Sequence, residues 1–214
     1  GGDLHQSLKQ KAPNQRFISI ANGFDAELMA GIKSDPPGDV FHLVYTGLLT
    51  HQQSYPSIIK ALQNLEGNCL IRFSLAGNIP KEIIEEIRAA LPEVELIYHG
   101  YLNHKEAITL MKSAHLLLNF IFEGAKTQMI SGKLLEYIAS KRPILSLGAT
   151  NSEAAKLINK GSCAVMFDSN DLEGITFFIN RIIEQKETLF NEFPEIEKWS
   201  RESLTKALIK KCLD

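Results

Sequence analysis

The chain has no run of apolar residues long enough to cross a bilayer. Its longest, HLLLNFIF at 115–122, falls far short of the roughly 20 that a spanning helix needs. Cysteine is scarce: Cys69, Cys163 and Cys212 lie too far apart for a disulfide framework or a zinc site. Reduced thiols in a cytoplasmic protein are the plain expectation. A net charge of −2 gives no broad basic surface, so a nucleic-acid partner is not expected. The opening GGDLHQSLKQ is polar and carries no secretory signal pattern. His51, His99, His104 and His115 make no i, i+4 metal pair, so no metal is expected. No GxGxxG follows the first strand candidate, and no GxxxxGK[ST] is present. In SGKLLEY, Leu134 follows the Gly-Lys pair where a magnesium-binding Ser or Thr would stand. A dinucleotide fingerprint and a P-loop are therefore both excluded.

What is present is alternation. Seven short apolar runs punctuate the chain: FISIA (17–21), FHLVYTG (41–47), CLIRFSLAG (69–77), VELIYHG (94–100), HLLLNFIF (115–122), PILSLG (143–148) and CAVMF (163–167). They are rich in Ile, Leu and Val without alternation, the pattern of strands buried on both faces of a parallel sheet. Between them lie helix candidates at 56–65, 80–91, 103–114, 133–140, 152–161 and 171–186. Asn103, with Glu106 three residues on, makes a capping-box signal. This order predicts one α/β domain, a Rossmann-like doubly wound parallel sheet with about six strands after residue 40 and helices on both faces. Residues 3–12 are expected to form a short helix. Residues 195–213 are expected to form an amphipathic one with Ile196, Trp199, Leu204, Leu208 and Leu213 as its apolar positions.

Open parallel sheets bind ligands beyond the carboxyl ends of their strands. That selects the stretches 46–55, 76–80, 99–104, 122–133 and 148–155, most of them rich in Gly and small polar residues that let a backbone approach a phosphate or sugar. Ser131, Gly132 and Lys133 open a helix, and a helix N-terminus attracts phosphate through its unpaired N–H groups and partial positive charge. Lys133 either adds a cation there or is solvated. Glu136 lies one turn further in, among Leu134, Leu135, Ile138 and Ala139. It has no i±4 partner, since 132 is Gly and 140 is Ser. A carboxylate in that setting needs one, and two vicinal hydroxyls of a ribose would serve. His99 and His104 are open to base recognition or to a surface role. Asn22, Gly23 and Asp25 form an NGFD turn.

Laid out in order, these segments resemble the C-terminal, donor-binding domain of a retaining GT-B glycosyltransferase of the "glycosyl transferases group 1" type. ISIANGFD (18–25) resembles the family's "IPNGVD", HLVYTGLLT (42–50) its "YVGRL", and FSLAGNIP (73–80) its "LVGDGP". IYHGYLNHKEAITLMKSAHLLLNF (97–120) is similar to "V.F.G....EL..LY..ADV.V.PS", and SGKLLEYIASKRPILSLG (131–148) to "K..EYMA.GKPVI". The likeness covers about residues 15–213.

The resemblance implies a donor-binding domain at 17–194, a helix remnant of an N-terminal domain at 1–16 and a crossing helix at 195–214. It implies transfer of a sugar from a UDP or GDP sugar to an acceptor hydroxyl, without a required cofactor. Glu136 would hold the ribose. Lys133, Gly132 and Ser131 would meet the diphosphate, Thr46 and Gly47 the phosphates or sugar, and Gly100, Tyr101 and Leu102 the base. Glu123 would stand at the first position of an acidic pair touching the sugar. The chain departs from the pattern in two places. No Arg or Lys follows Gly47 before Lys60, which leaves diphosphate charge to Lys133, Lys126 or His51. Twelve residues, not seven, separate Glu123 from Glu136. The acceptor-binding half is expected to be missing. Turnover is therefore not expected of the chain alone, and any peripheral membrane contact would run through that half. A cytoplasmic role in polysaccharide synthesis is the usual family context. A sugar-nucleotide epimerase half and a non-catalytic binding module remain the alternatives.

Overall fold

The computed structural model describes residues 2–213, apart from 19, 39, 66–68, 123–129 and 186–189. Six parallel strands form one sheet: β1 (Phe41–Thr46), β2 (Ile71–Ala76), β3 (Glu95–Tyr98), β4 (Leu116–Phe120), β5 (Ile144–Leu147) and β6 (Ala164–Phe167). Their order is β3-β2-β1-β4-β5-β6. From β1 the chain winds outward to β2 and β3, then returns to β4 and winds the other way. The reversal leaves a crevice beyond the ends of β1 and β4. The six strands fall on the six apolar runs after residue 40.

Two layers of helices cover the sheet. α3 (Tyr55–Gln63), α4 (Lys81–Ala90) and α8 (Leu172–Glu184) pack on one face against Leu43, Tyr45, Leu75 and Leu118. α5 (His104–Lys112), α6 (Gly132–Ala139) and α7 (Glu153–Ile158) pack on the other against Val44 and Leu117. Central strands β1 and β4 are buried along their whole length, which is why they show no alternation. The capping box at Asn103 is formed in both directions.

The ends depart from expectation. α1 (Gly2–Lys11) forms as predicted. The described residues of FISIA form no strand: Phe17, Ile18 and Ile20 are only half-buried, and a bridge just beyond them joins Phe24 to Ser200. Its neighbour is thus the C-terminal segment, not the sheet. There Phe24 accepts from the Arg201 amide and donates to the Trp199 carbonyl, while Gly23 leaves no room for a side chain beside Trp199 and Leu204. A short α2 (Ala26–Gly31), capped by Asp25, follows the NGFD turn. Lys112 and Arg142 hold the chain after it. Lys112 donates to the Met29 and Ile32 carbonyls, and Arg142 to that of Ser34. The expected single C-terminal helix is broken at Ser200 into a 3-10 turn (Ile196–Trp199) and α9 (Arg201–Leu213). Ile196 and Trp199 pack on the core, but α9 buries none of its residues, and Leu213 is 82% exposed.

Candidate functional site

Three strands in a row end in glycines with left-handed or otherwise positive φ: Gly47 (+123°), Gly77 (+120°) and Gly100 (+66°). Gly77 shows why no side chain is tolerated. A Cβ there would lie 2.2 Å from the Gly47 carbonyl oxygen. The Gly47 amide donates to Ala76, and the Gly77 amide to Gly100 at 2.7 Å. The three turns thus form one stack of backbone across the ends of β1, β2 and β3.

α6 begins beside this stack. Ser131 has extended backbone and its hydroxyl accepts from the Leu134 amide at 3.2 Å, so it is the N-cap. Asn22 of the NGFD turn lies against Gly132, 3.2 Å from where a Cβ would stand. Leu134, Leu135, Tyr137 and Ile138 bury the helix. The Tyr137 hydroxyl accepts from the Thr46 amide at 2.9 Å and shares a 3.2 Å bond with the Thr46 hydroxyl. This fixes α6 to the end of β1. It also holds the buried Thr46 hydroxyl against Tyr137.

Lys133 runs under the Gly47 turn. Its Nζ sits 4.2 Å from the Tyr45 ring centroid and 5.5 Å from that of Tyr137. Among the described residues no carboxylate pairs with it. Burial pulls its pKa from 10.5 down to about 7. The rings offer cation–π attraction but do not replace a counter-charge. An anion in the crevice would.

Glu136 lies one turn along α6 and faces α5. Its Oε1 is 2.8 Å from Nε2 of His104, with 17% of the glutamate side chain and 42% of the histidine exposed. The partner that α6 itself could not supply therefore comes from the next helix. Gly100, Tyr101 and Leu102 lead into the start of α5, and Tyr101 is 90% exposed. His99 is exposed, and its ring reaches the Ser74 hydroxyl at 3.3 Å, the same hydroxyl that lies 2.8 Å from His42. His42 Nδ1 lies 2.8 Å from the Ser113 carbonyl and so carries the proton, leaving Nε2 to accept from Ser74. Desolvation lowers the pKa of both histidines. The His42 ring is buried and part of the fold. His51 is exposed and bonds Tyr55, whose hydroxyl donates to Glu86 on α4. It faces that side, not Lys133. Glu123 and Lys126 lie outside the described residues.

Sequence reasoning missed Tyr45, Gln53, Asn119 and Tyr137. Gln53 is buried; its Oε1 accepts from the Thr50 amide at 2.8 Å and its Nε2 donates to the Leu48 carbonyl at 3.1 Å. It ties the glycine turn of β1 into a closed loop. Nothing in HQQSY distinguishes Gln53 from Gln52. With Lys133 and Ser131, Tyr45, Gln53 and Asn119 border a cavity of about 240 Å³ between the ends of β1 and β4.

The same fold is found in solved structures. The lipopolysaccharide outer core galactosyltransferase WaaB in its apo form superposes with a TM-score of 0.68 at 16% identity, over 100% of this chain and 60% of that one. HepE of Anabaena, in complex with UDP and glucose, gives 0.66 at 15% identity, over 90% and 56%. The pneumococcal O-GlcNAc transferase GtfA, in complex with UDP and GlcNAc, gives 0.59 at 14% identity, over 99% and 43%. The chain is folded as one half of a GT-B glycosyltransferase. At these identities the likeness is one of fold, and the chain spans 43% to 60% of the length of those three proteins. No protein-family model and no curated protein sequence matches it. Among the described residues no helix is long and apolar enough to cross a membrane.

Proposed function

We propose that the chain is the donor-binding half of a glycosyltransferase that moves a sugar from a nucleotide-diphosphate sugar to an acceptor hydroxyl. One observation carries this reading. A single helix, α6, brings Lys133, which pairs with no carboxylate among the described residues, and a half-shielded Glu136 to the crevice where the sheet reverses.

In this reading ribose hydroxyls donate to Glu136, displacing or sharing His104. The diphosphate meets Lys133, the free amides of the first turn of α6 and the backbone at Gly47. Gly132 lets the Asn22 side chain pack against that turn. Gly100, Tyr101 and Leu102 border the base, with the exposed Tyr101 ring available for stacking. The chemistry asked of this half is electrostatic: the cation and helix N-terminus stabilise the departing diphosphate as the sugar takes on oxocarbenium character. The acceptor, and any general base, come from an N-terminal half. UDP is the first base to test, because HepE and GtfA were both solved with it. A role in cell-envelope polysaccharide synthesis would match WaaB, a lipopolysaccharide outer core galactosyltransferase.

The test is a thermal-shift and calorimetric panel of UDP, GDP and ADP on the full chain. One nucleoside diphosphate should stabilise and bind it. Silence across the panel at millimolar ligand would refute donor binding. It would favour a non-catalytic module, a reading to which the lack of Arg or Lys between Gly47 and Lys60 lends some weight.

A further inference from the structure

Three side chains form one run of hydrogen bonds across β1, β2 and the turn after β3. His42 is 4% exposed and Ser74 1%, while His99 is exposed. Both ring nitrogens of His42 are engaged. Nδ1 donates to the Ser113 carbonyl at the end of α5, at 2.8 Å, and Nε2 lies 2.8 Å from the Ser74 hydroxyl. A neutral imidazole has one donor and one acceptor, so Nε2 accepts. Ser74 has a single hydrogen and gives it to His42. Its oxygen therefore accepts from His99 Nε2, 3.3 Å away.

A neutral His42 is the form that fits. A second proton would make Nε2 a donor and turn out the Ser74 hydrogen, which has no other acceptor among the described residues. It would also leave a buried cation. Arg72 and His99 oppose that charge; Glu95 favours it, but already pairs with Arg72 at 2.7 Å. His115 Nδ1 accepts from the His42 amide at 3.0 Å.

His99 opens the turn after β3. Its amide donates to the Leu75 carbonyl at 2.9 Å, and the Gly100 carbonyl accepts from the Gly77 amide at 2.7 Å. The side-chain run adds a tie to these backbone bonds, and unlike them it titrates.

The geometry points to an acid-released latch: neutral His42 holds the turn at 99–102 through Ser74 and His99, and protonation of His42 frees it. The latch itself needs no ligand. Its effect on nucleotide binding rests on the donor-binding reading, in which this turn borders the base. A histidine freed from the latch titrates near about 6.5. Above that value the latch is intact. As pH falls below it, the open form takes up a proton that the closed form refuses, and opening gains up to about 10-fold per pH unit.

Ring-nitrogen NMR and amide exchange on the full chain without ligand test this, so the outcome is independent of the nucleotide panel. Near neutral pH, His42 should carry its proton on Nδ1 and His99 on Nε2. From about pH 7 to about pH 5, protection factors of the His99 and Gly77 amides should fall about 10-fold or more. That of Gly148, bonded to Phe167 on the other half of the sheet, should hold. His42→Gln keeps an acceptor for Ser74 but cannot titrate, so its protection should stay level. Ser74→Ala cuts the run and should show the low protection already at neutral pH. A His42 proton on Nε2, level protection in the wild type, an equal fall at Gly148, or wild-type protection in Ser74→Ala would overturn the latch.

Discussion

Glu136 of α6 and His104 of α5 meet at 2.8 Å across two helices that touch the same face of the sheet. In the proposed function this pair is where the ribose is held, and the two side chains have different roles in that proposal. Glu136→Ala removes the acceptor of two hydroxyl bonds and should weaken nucleotide binding by about 10-fold or more, since a hydrogen bond to a charged group contributes roughly 1.5–3 kcal/mol. His104→Ala frees the carboxylate and should change affinity far less. Stability should change by less than about 1 kcal/mol in either variant, as expected of a partly exposed pair. Calorimetry of both variants decides this. Equal losses would mean the pair is merely structural.

Gly77 and Gly47 make a sharper claim about the fold. Gly77→Ala pushes a Cβ into the Gly47 carbonyl and adds backbone strain, and should cost about 2–5 kcal/mol. At Gly47 the nearest atom is the Lys133 Nζ at 3.5 Å, so Gly47→Ala should cost only the strain, about 1–3 kcal/mol. Urea unfolding of the two variants should rank them in that order; the reverse order would contradict the stacked turns.

Lys133 sets a pH dependence. Its folded pKa is lowered to about 7, while the unfolded group titrates near 10.4. Between those values the unfolded chain holds more protons, so stability contributed through this group rises with pH from about 7 to about 10. Below about 7 the folded chain bears the burial cost in full. Measured against Lys133→Met, wild-type stability should climb by up to about 1.4 kcal/mol per pH unit in that window. Diphosphate binding should run the other way, weakening as pH rises above about 7, because the ligand favours the ammonium. Parallel stability curves would show that the amine is not buried.

Arg142 is a brace. Its Nε donates to the Lys112 carbonyl at 2.8 Å and its Nη2 to Ser34 at 3.0 Å. Arg142→Met should cost about 1–3 kcal/mol and raise hydrogen exchange in 26–35 ahead of the sheet. Unchanged exchange there would show that Lys112 alone is sufficient.

The sheet was legible because a parallel strand buried on both faces is a continuous apolar run, and six such runs follow residue 40. The same signal misled at FISIA and in the C-terminal helix: apolar residues announce burial or contact, but not what covers them. α2 went unread because six residues are fewer than two turns, too short for helical periodicity to show. At the candidate site, Ser131 and Gly132 could be read locally, since a cap and a close approach are features of a few neighbouring residues. The His104 partner of Glu136 could not, because it lies 32 residues away on another element. Nor could the rings around Lys133, which only the packing of α6 on β1 brings together.

The most direct measurement is a crystal structure of the full chain with the nucleoside diphosphate that binds it. The account predicts ribose hydroxyls within hydrogen-bond reach of Glu136 and phosphates against Lys133 and the first turn of α6. A nucleotide seated elsewhere, with Glu136 still held by His104 alone, would contradict it.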